Sequence, residues 1–179
     1  RELSETWAVS GMQYKVGDEG PGGGFVFYVS PKGFTVYDGK GGEEICHYLE
    51  MSKTSLGKSK GVLFRAQTQE WGKSNCYKIL HSNYDMDEES CAAYRCSLYA
   101  TATTKQGDWF LPSKKELDLM YQTQRERVLA TSEDTTLLLS SFCSVLLSKF
   151  GYYYCQSFYS GESYKKTEDL CSVRAIRAF

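Results

Sequence analysis

The residues of this chain best suited to covalent or metal chemistry are seven cysteines (Cys46, Cys76, Cys91, Cys96, Cys143, Cys155 and Cys171) and two histidines (His47 and His81). No two cysteines stand in the C-x-x-C arrangement. A structural zinc site needs closely spaced ligand pairs, and a redox dithiol needs that same short spacing, so neither is expected and no metal or cofactor is assigned. One or two disulfides plus free thiols is the simpler reading, and it implies an oxidising compartment. Because seven is odd, at least one thiol is unpaired within the chain. A nucleophilic triad requires an imidazole beside its nucleophile. Neither histidine lies in such a motif and G-x-S-x-G is absent, so both are expected to be structural or surface residues.

Two further clusters invite chemistry and are better explained without it. A phosphate cradle needs strand, glycine loop and then helix, so that backbone amides converge at a helix start. Here Gly20-Pro21-Gly22-Gly23-Gly24 leads instead into Phe25-Val26-Phe27-Tyr28-Val29, a run of strand formers. A tight turn before a core strand is expected. Asp85, Asp87, Glu88 and Glu89 form an acidic run without the alternating spacing of a calcium loop, so a solvated loop or a helix-dipole partner is expected. The last cluster is a tail, Leu137 to Ser172, dense in Leu, Ser, Tyr and Cys and without Asn. Tyrosine offers large rigid contact area at low entropic cost, and serine offers adaptable hydrogen bonds. That composition suits a contact surface, although residues 137–150 could equally form an apolar core helix.

The elements that would position these residues can be read from the pattern. Ser30-Pro31-Lys32-Gly33 is a turn signal, predicting a hairpin between Phe25–Val29 and Phe34–Tyr37. Ile45–Met51 reads as a strand. Residues 52–75 read as a loop with one short strand near Val62-Leu63-Phe64. A helix is expected over Ser90–Thr101 with Ser90 as N-cap. Asp108–Pro112 should be extended, because proline disfavours helix at the preceding residue. Ser113-Lys114-Lys115-Glu116 has the form of a capping box, opening a helix to about Arg127 with Leu117, Met120 and Tyr121 on its buried stripe. Val173–Phe179 reads as a closing strand, paired with Phe25–Val29.

Whole-chain properties set the limits. The 179 residues, 41% hydrophobic and 24% charged, suit one folded domain and rule out wholesale disorder. No apolar run reaches the roughly 20 residues of a membrane helix. A net charge of -1 lacks the basic excess of a dedicated nucleic-acid binder. The chain begins Arg1-Glu2 with no apolar leader, and reads as a trimmed or mature form.

Several segments together resemble one bacterial family. Lys15–Val29 looks like its opening motif, and Gly107-Asp108-Trp109-Phe110-Leu111-Pro112-Ser113-Lys114-Lys115-Glu116-Leu117 its central one. Gln156-Ser157-Phe158-Tyr159-Ser160-Gly161 and Val173–Phe179 look like its ending. These bracket residues 15–179 in order. The family is the C-type lectin-like domain found at the end of a Legionella collagen-like adhesin, similar to the formylglycine-generating-enzyme branch of that fold. The chain is most similar to the variable proteins of diversity-generating retroelements, the treponemal variable lipoproteins among them.

The resemblance implies an α+β domain over 15–179 after a lead-in of residues 1–14: a mixed, mostly antiparallel sheet, two helices and long loops. It implies a variable ligand-binding region at about 137–172, held by fixed positions such as Phe158, Gly161, Val173 and Ile176. In such proteins a reverse transcriptase randomises template adenines, turning Asn codons into Tyr, Ser, Cys, Leu and others. A tail rich in those residues and lacking Asn fits. Leu139-Ser140-Ser141 stands where relatives carry Trp-Ser-Ser, and Tyr154 where they carry a second Trp. No active-site cysteine pair of the enzymatic branch can be mapped, so the implied function is non-catalytic binding of a protein on a host or bacterial surface. The displayed side chains would be Phe142, Cys143, Val145, Leu146, Leu147, Tyr152, Tyr154, Tyr159, Ser160 and Tyr164. The implied state is a monomer at the cell surface, without nucleic acid, reaching a membrane only through an upstream lipid anchor. A carbohydrate-binding lectin, a thiol enzyme on the same scaffold and a self-assembling adhesin tail are the alternatives.

Overall fold

The computed structural model describes residues 12–60, 72–81, 87–131, 137–145, 151–166 and 169–179, but not the side chains of 137, 139–145, 151 and 152. Among these residues the chain is α+β, with three helices and two sheets. Aromatic and β-branched residues build strand β1 (Phe25–Tyr37), which pairs antiparallel with β2 (Glu43–Met51). The predicted hairpin at Ser30–Gly33 does not form. Val29 stands opposite Tyr48 and Phe34 opposite Cys46, so both halves of β1 run along the same partner and the intervening residues bulge outward. His47 Nδ1 lies 3.0 Å from the Ser30 carbonyl, tying the bulge to β2. The returning strand of the hairpin is β2 itself.

The predicted pairing of the first and last strands is also corrected. Strand β8 (Ile176–Ala178) pairs with β2, in the order β1-β2-β8. The reason is Glu50, which is wholly buried on β2. Its carboxylate accepts from the backbone of Gly22 at 3.0 Å and Gly24 at 3.1 Å, and from Arg177 Nε at 2.7 Å. A Cβ at Gly22 would fall 2.2 Å from that carboxylate, so the glycine-rich turn is what lets the backbone come this close. The expected tight turn is present, and it is joined to the closing strand through β2.

Among the described residues, three helices stand where two were predicted. Helix α1 (Gly72–Leu80) begins inside the stretch read as loop. The Gly72 amide donates to Glu116 Oε1 at 2.7 Å, and Cys76 Sγ accepts from the Leu111 amide at 3.2 Å, so distant residues hold a segment of modest intrinsic propensity. The strand expected near Val62–Phe64 lies outside the described residues. Helix α2 (Ala92–Leu98) is shorter than expected, and its N-cap is Cys91 rather than Ser90. The Ser90 hydroxyl instead donates to Asp87 Oδ2, and Asp87 Oδ1 accepts from the Glu89 and Ser90 amides. That part of the acidic run is therefore a loop organiser, while Asp85 lies outside the described residues. Helix α3 (Lys114–Ala130) opens on the expected Ser113–Glu116 capping box and kinks at Gln124.

The second sheet has the order β3-β7-β4-β5-β6, made of Lys58–Ser59, Cys171–Ser172, Leu137–Val145, Gly151–Ser157 and Ser163–Lys166. Its pairs are antiparallel except β4 with β7, and the Leu137 segment is a strand rather than a helix. One core joins both sheets and the helices, with Phe27, Met51, Trp109, Leu117, Met120, Phe158 and Ile176 inside it. Phe110 bridges to Ile176 from the extended Asp108–Pro112 segment, as its sequence predicts. No described helix is long and apolar enough to cross a membrane.

Candidate functional site: the carboxyl-terminal tail

The tail is organised by strand β5 and the turn that follows it. Ser157 closes that turn: its amide donates to Glu162 O at 2.8 Å, and its hydroxyl accepts from the Tyr159 and Ser160 amides at 3.2 and 3.3 Å. Gly161 has φ +79°, and a Cβ there would lie 2.7 Å from the Tyr121 ring. Only glycine satisfies both conditions.

Helix α3 anchors the turn from behind. Gln156 Nε2 donates to Asp118 Oδ1 at 2.9 Å and to Gly161 O at 3.0 Å, and Arg125 Nη2 donates to Tyr159 O at 3.1 Å. Phe158, fully buried, meets Tyr121 edge to face at 5.5 Å. With its backbone held on one side, the turn presents Tyr159 outward, 68% exposed, beside an exposed Ser160. On β6, Tyr164 is 41% exposed and its hydroxyl donates to Glu162 Oε2 at 2.8 Å.

The strand register then divides the tail. Residues directly opposite one another in an antiparallel pair share a face. Cys155 stands opposite Tyr164, and Tyr154 opposite Lys165. Tyr154 and Tyr164 therefore lie on opposite faces and cannot belong to one flat patch. Tyr154 is half-buried on the α3 side, with Lys114 Nζ 4.0 Å from its ring centre. Its neighbour Tyr153 is core, 1% exposed, and its hydroxyl donates to the Asp169 carbonyl at 2.6 Å. Cys155 is disulfide-bonded to Cys171, joining β5 to β7.

Of the expected display residues, Tyr159, Ser160 and Tyr164 are exposed and Tyr154 is half-buried. Phe142, Cys143 and Val145 lie on β4, with Cys143 opposite Tyr153 and Val145 opposite Gly151; Tyr152 stands opposite Ser144. The side chains of those four, and all of Leu146 and Leu147, lie outside the description. The fixed positions behave as frame: Phe158, Val173 and Ile176 are fully buried. Sequence reasoning missed the anchoring role of Asp118, Tyr121 and Arg125. Tyr121 was expected on the buried stripe of the helix that the capping box opens, whereas Asp118 and Arg125 stood out there only as polar residues.

Elsewhere the thiols are poorly placed for nucleophilic work. Cys46, Cys76, Cys91 and Cys96 are free and buried. Burial pushes each thiol above its ordinary range, Cys46 to about 11, so at neutral pH they are protonated. His81 Nδ1 sits 2.9 Å from Tyr77 O, with the two rings packed at 3.9 Å. Among the described residues no group of three or more His, Cys, Asp or Glu side chains could hold a metal ion.

No family model matches the chain, and no curated protein matches it.

Proposed function

We infer that this chain is a non-catalytic ligand-binding domain on a C-type lectin-like scaffold, in which a fixed frame carries a changeable surface at the carboxyl end. One observation carries the reading: along a single short segment, Phe158 is fully buried while Tyr159 next to it is 68% exposed. The turn's shape comes chiefly from Ser157, Gly161 and the α3 contacts, to which Ser160 adds one bond, its hydroxyl accepting from the Glu162 amide at 3.2 Å. Such a turn tolerates replacement at Tyr159, Ser160 and Tyr164 while keeping its geometry. The ligand is a protein, which exposed tyrosines suit as rigid anchors. On the other face of the sheet a second displayed set runs through Tyr154 and Tyr152, and the diversity of both sets is generated by a retroelement. The domain acts as a monomer at the cell surface, carried by a lipid anchor upstream. The Cys155–Cys171 bond supports an oxidising location.

The test is a display library randomised at Tyr159, Ser160 and Tyr164, selected against a labelled probe protein such as lysozyme. Folded, specific binders are expected from it. A library whose members mostly unfold would remove the reading. Sister copies of the gene supply a second check, since differences should fall within residues 137–172 and at template adenines.

A further inference from the structure

Arg174 lies between β7 and β8 and is 0% exposed, yet no carboxylate accompanies it. Buried Glu50 shows the contrast, since Arg177 Nε meets it at 2.7 Å. Among the described residues, no Asp or Glu oxygen lies within ion-pair distance of Arg174. Its donors are also unevenly used. Nη1 donates to the Ser52 and Lys53 carbonyls at 3.0 and 3.2 Å, and Nη2 to Thr131 Oγ1 at 2.6 Å. Nε, equally buried, has no partner. A guanidinium carries N–H on each of its nitrogens and has no acceptor, so Nε is an idle donor.

The missing charge and the idle donor point the same way. Burial alone lowers the pKa of Arg174, to about 10, so the group is still charged at neutral pH. Carbonyl and hydroxyl dipoles offset part of that charge, but an uncompensated buried charge is costly. Native interiors rarely leave a buried donor idle, and an ordered water or ion is a common partner. Water would satisfy the N–H and leave the charge, whereas an anion satisfies both. The surroundings limit its size. The Leu56 amide donates to the Val173 carbonyl and the Ser52 amide to the Ala175 carbonyl, each at 2.8 Å, so the backbone on both sides of Arg174 is tied to the segment after β2. A bulky anion would have to break those bonds to reach Nε, and a monatomic one need not.

We propose that Arg174 Nε anchors a buried halide site, chloride in practice, which completes the junction of the segment after β2, the end of α3 and the segment joining β7 to β8. The bound ion neutralises the guanidinium and stabilises the folded state only. None of the groups that form the site belongs to the displayed set of the tail, so the site stands or falls independently of the protein-binding surface.

The experiment uses the whole domain and two readouts. Crystals soaked in sodium bromide are measured at the bromine absorption edge, and an anomalous peak in contact with Arg174 Nε is expected. In solution, thermal melts are run at fixed ionic strength while sodium chloride replaces sodium gluconate, whose anion is too large for the site. An ion bound by the folded state alone raises the melting temperature with the logarithm of its concentration. A rise of about 3–6 °C is expected once chloride reaches about ten times its half-saturating level. Arg174→Met keeps the aliphatic stem and removes the charge, so the chloride dependence should vanish; if that variant does not fold, the bromide map and the melts of the parent decide the matter. No bromide at Nε, a parent melting temperature indifferent to chloride, or a chloride dependence that survives in Arg174→Met would each overturn the proposal.

Discussion

Phe158 and Tyr159 are adjacent and have opposite fates, and their substitution should show it. Phe158→Ala empties a site in the core and should cost about 3–5 kcal/mol in urea unfolding. Tyr159→Ala should stay within about 0.5 kcal/mol of the parent in the same measurement. Glu116 makes a second prediction at this scale. It is fully buried, with Oε1 accepting from Ser113 and Gly72 amides while Oε2 has no partner. Desolvation outweighs those bonds and pushes the carboxyl up to about 7. The folded state therefore holds its proton over a range where the unfolded state has already released it. This contribution to stability is complete below the ordinary carboxylate value, 4.5, and is lost as pH rises through 7. The amount is on the order of 3 kcal/mol. Glu116→Gln should flatten the fall in unfolding free energy between pH 5 and 7.5.

At the scale of elements, the turn between β5 and β6 is a hairpin loop bolted to a helix. Gly161→Ala forces a side chain into a left-handed φ of +79° and against Tyr121. It should lower stability by about 1–3 kcal/mol and raise hydrogen exchange at residues 157–162. The disulfide acts on the same sheet from its other side. Cys155 and Cys171 are 16 residues apart, so replacing both with Ser should cost about 3 kcal/mol by chain-entropy reasoning. Thermal melts with and without reductant would measure it, because the same loss should appear when the parent is reduced.

The whole molecule is held at two buried ionic centres rather than by apolar contact alone. Glu50 joins the glycine turn, β2 and β8, so Glu50→Ala would strand Arg177 and two backbone amides at once. A loss of about 3–5 kcal/mol is expected, read as a lowered urea midpoint. Arg174, also buried, donates from Nη1 to the Ser52 and Lys53 carbonyls and from Nη2 to Thr131 Oγ1. It ties the segment after β2 to the end of α3. These two centres hold the three-stranded sheet, the end of helix α3 and the last residues of the chain in a common geometry.

Some of this architecture follows from short-range pattern. The capping box at Ser113–Glu116, the extended segment ending at Pro112, the glycine turn before β1 and the buried Leu117 and Met120 were all legible, because each depends on neighbours within a few residues. So was the burial of Phe158, Val173 and Ile176 at the end of the chain. Four features were not legible, since each is set by a partner far along the chain. Ser30–Gly33 became a bulge because β2 pairs with both halves of β1; α1 formed where Glu116 and Leu111 receive it; β8 chose β2 through Glu50 and Arg177. The tail was split by register, which places Tyr154 and Tyr164 on opposite faces of one sheet. Composition determines what a surface can do, while alternation along a paired strand decides which residues share it.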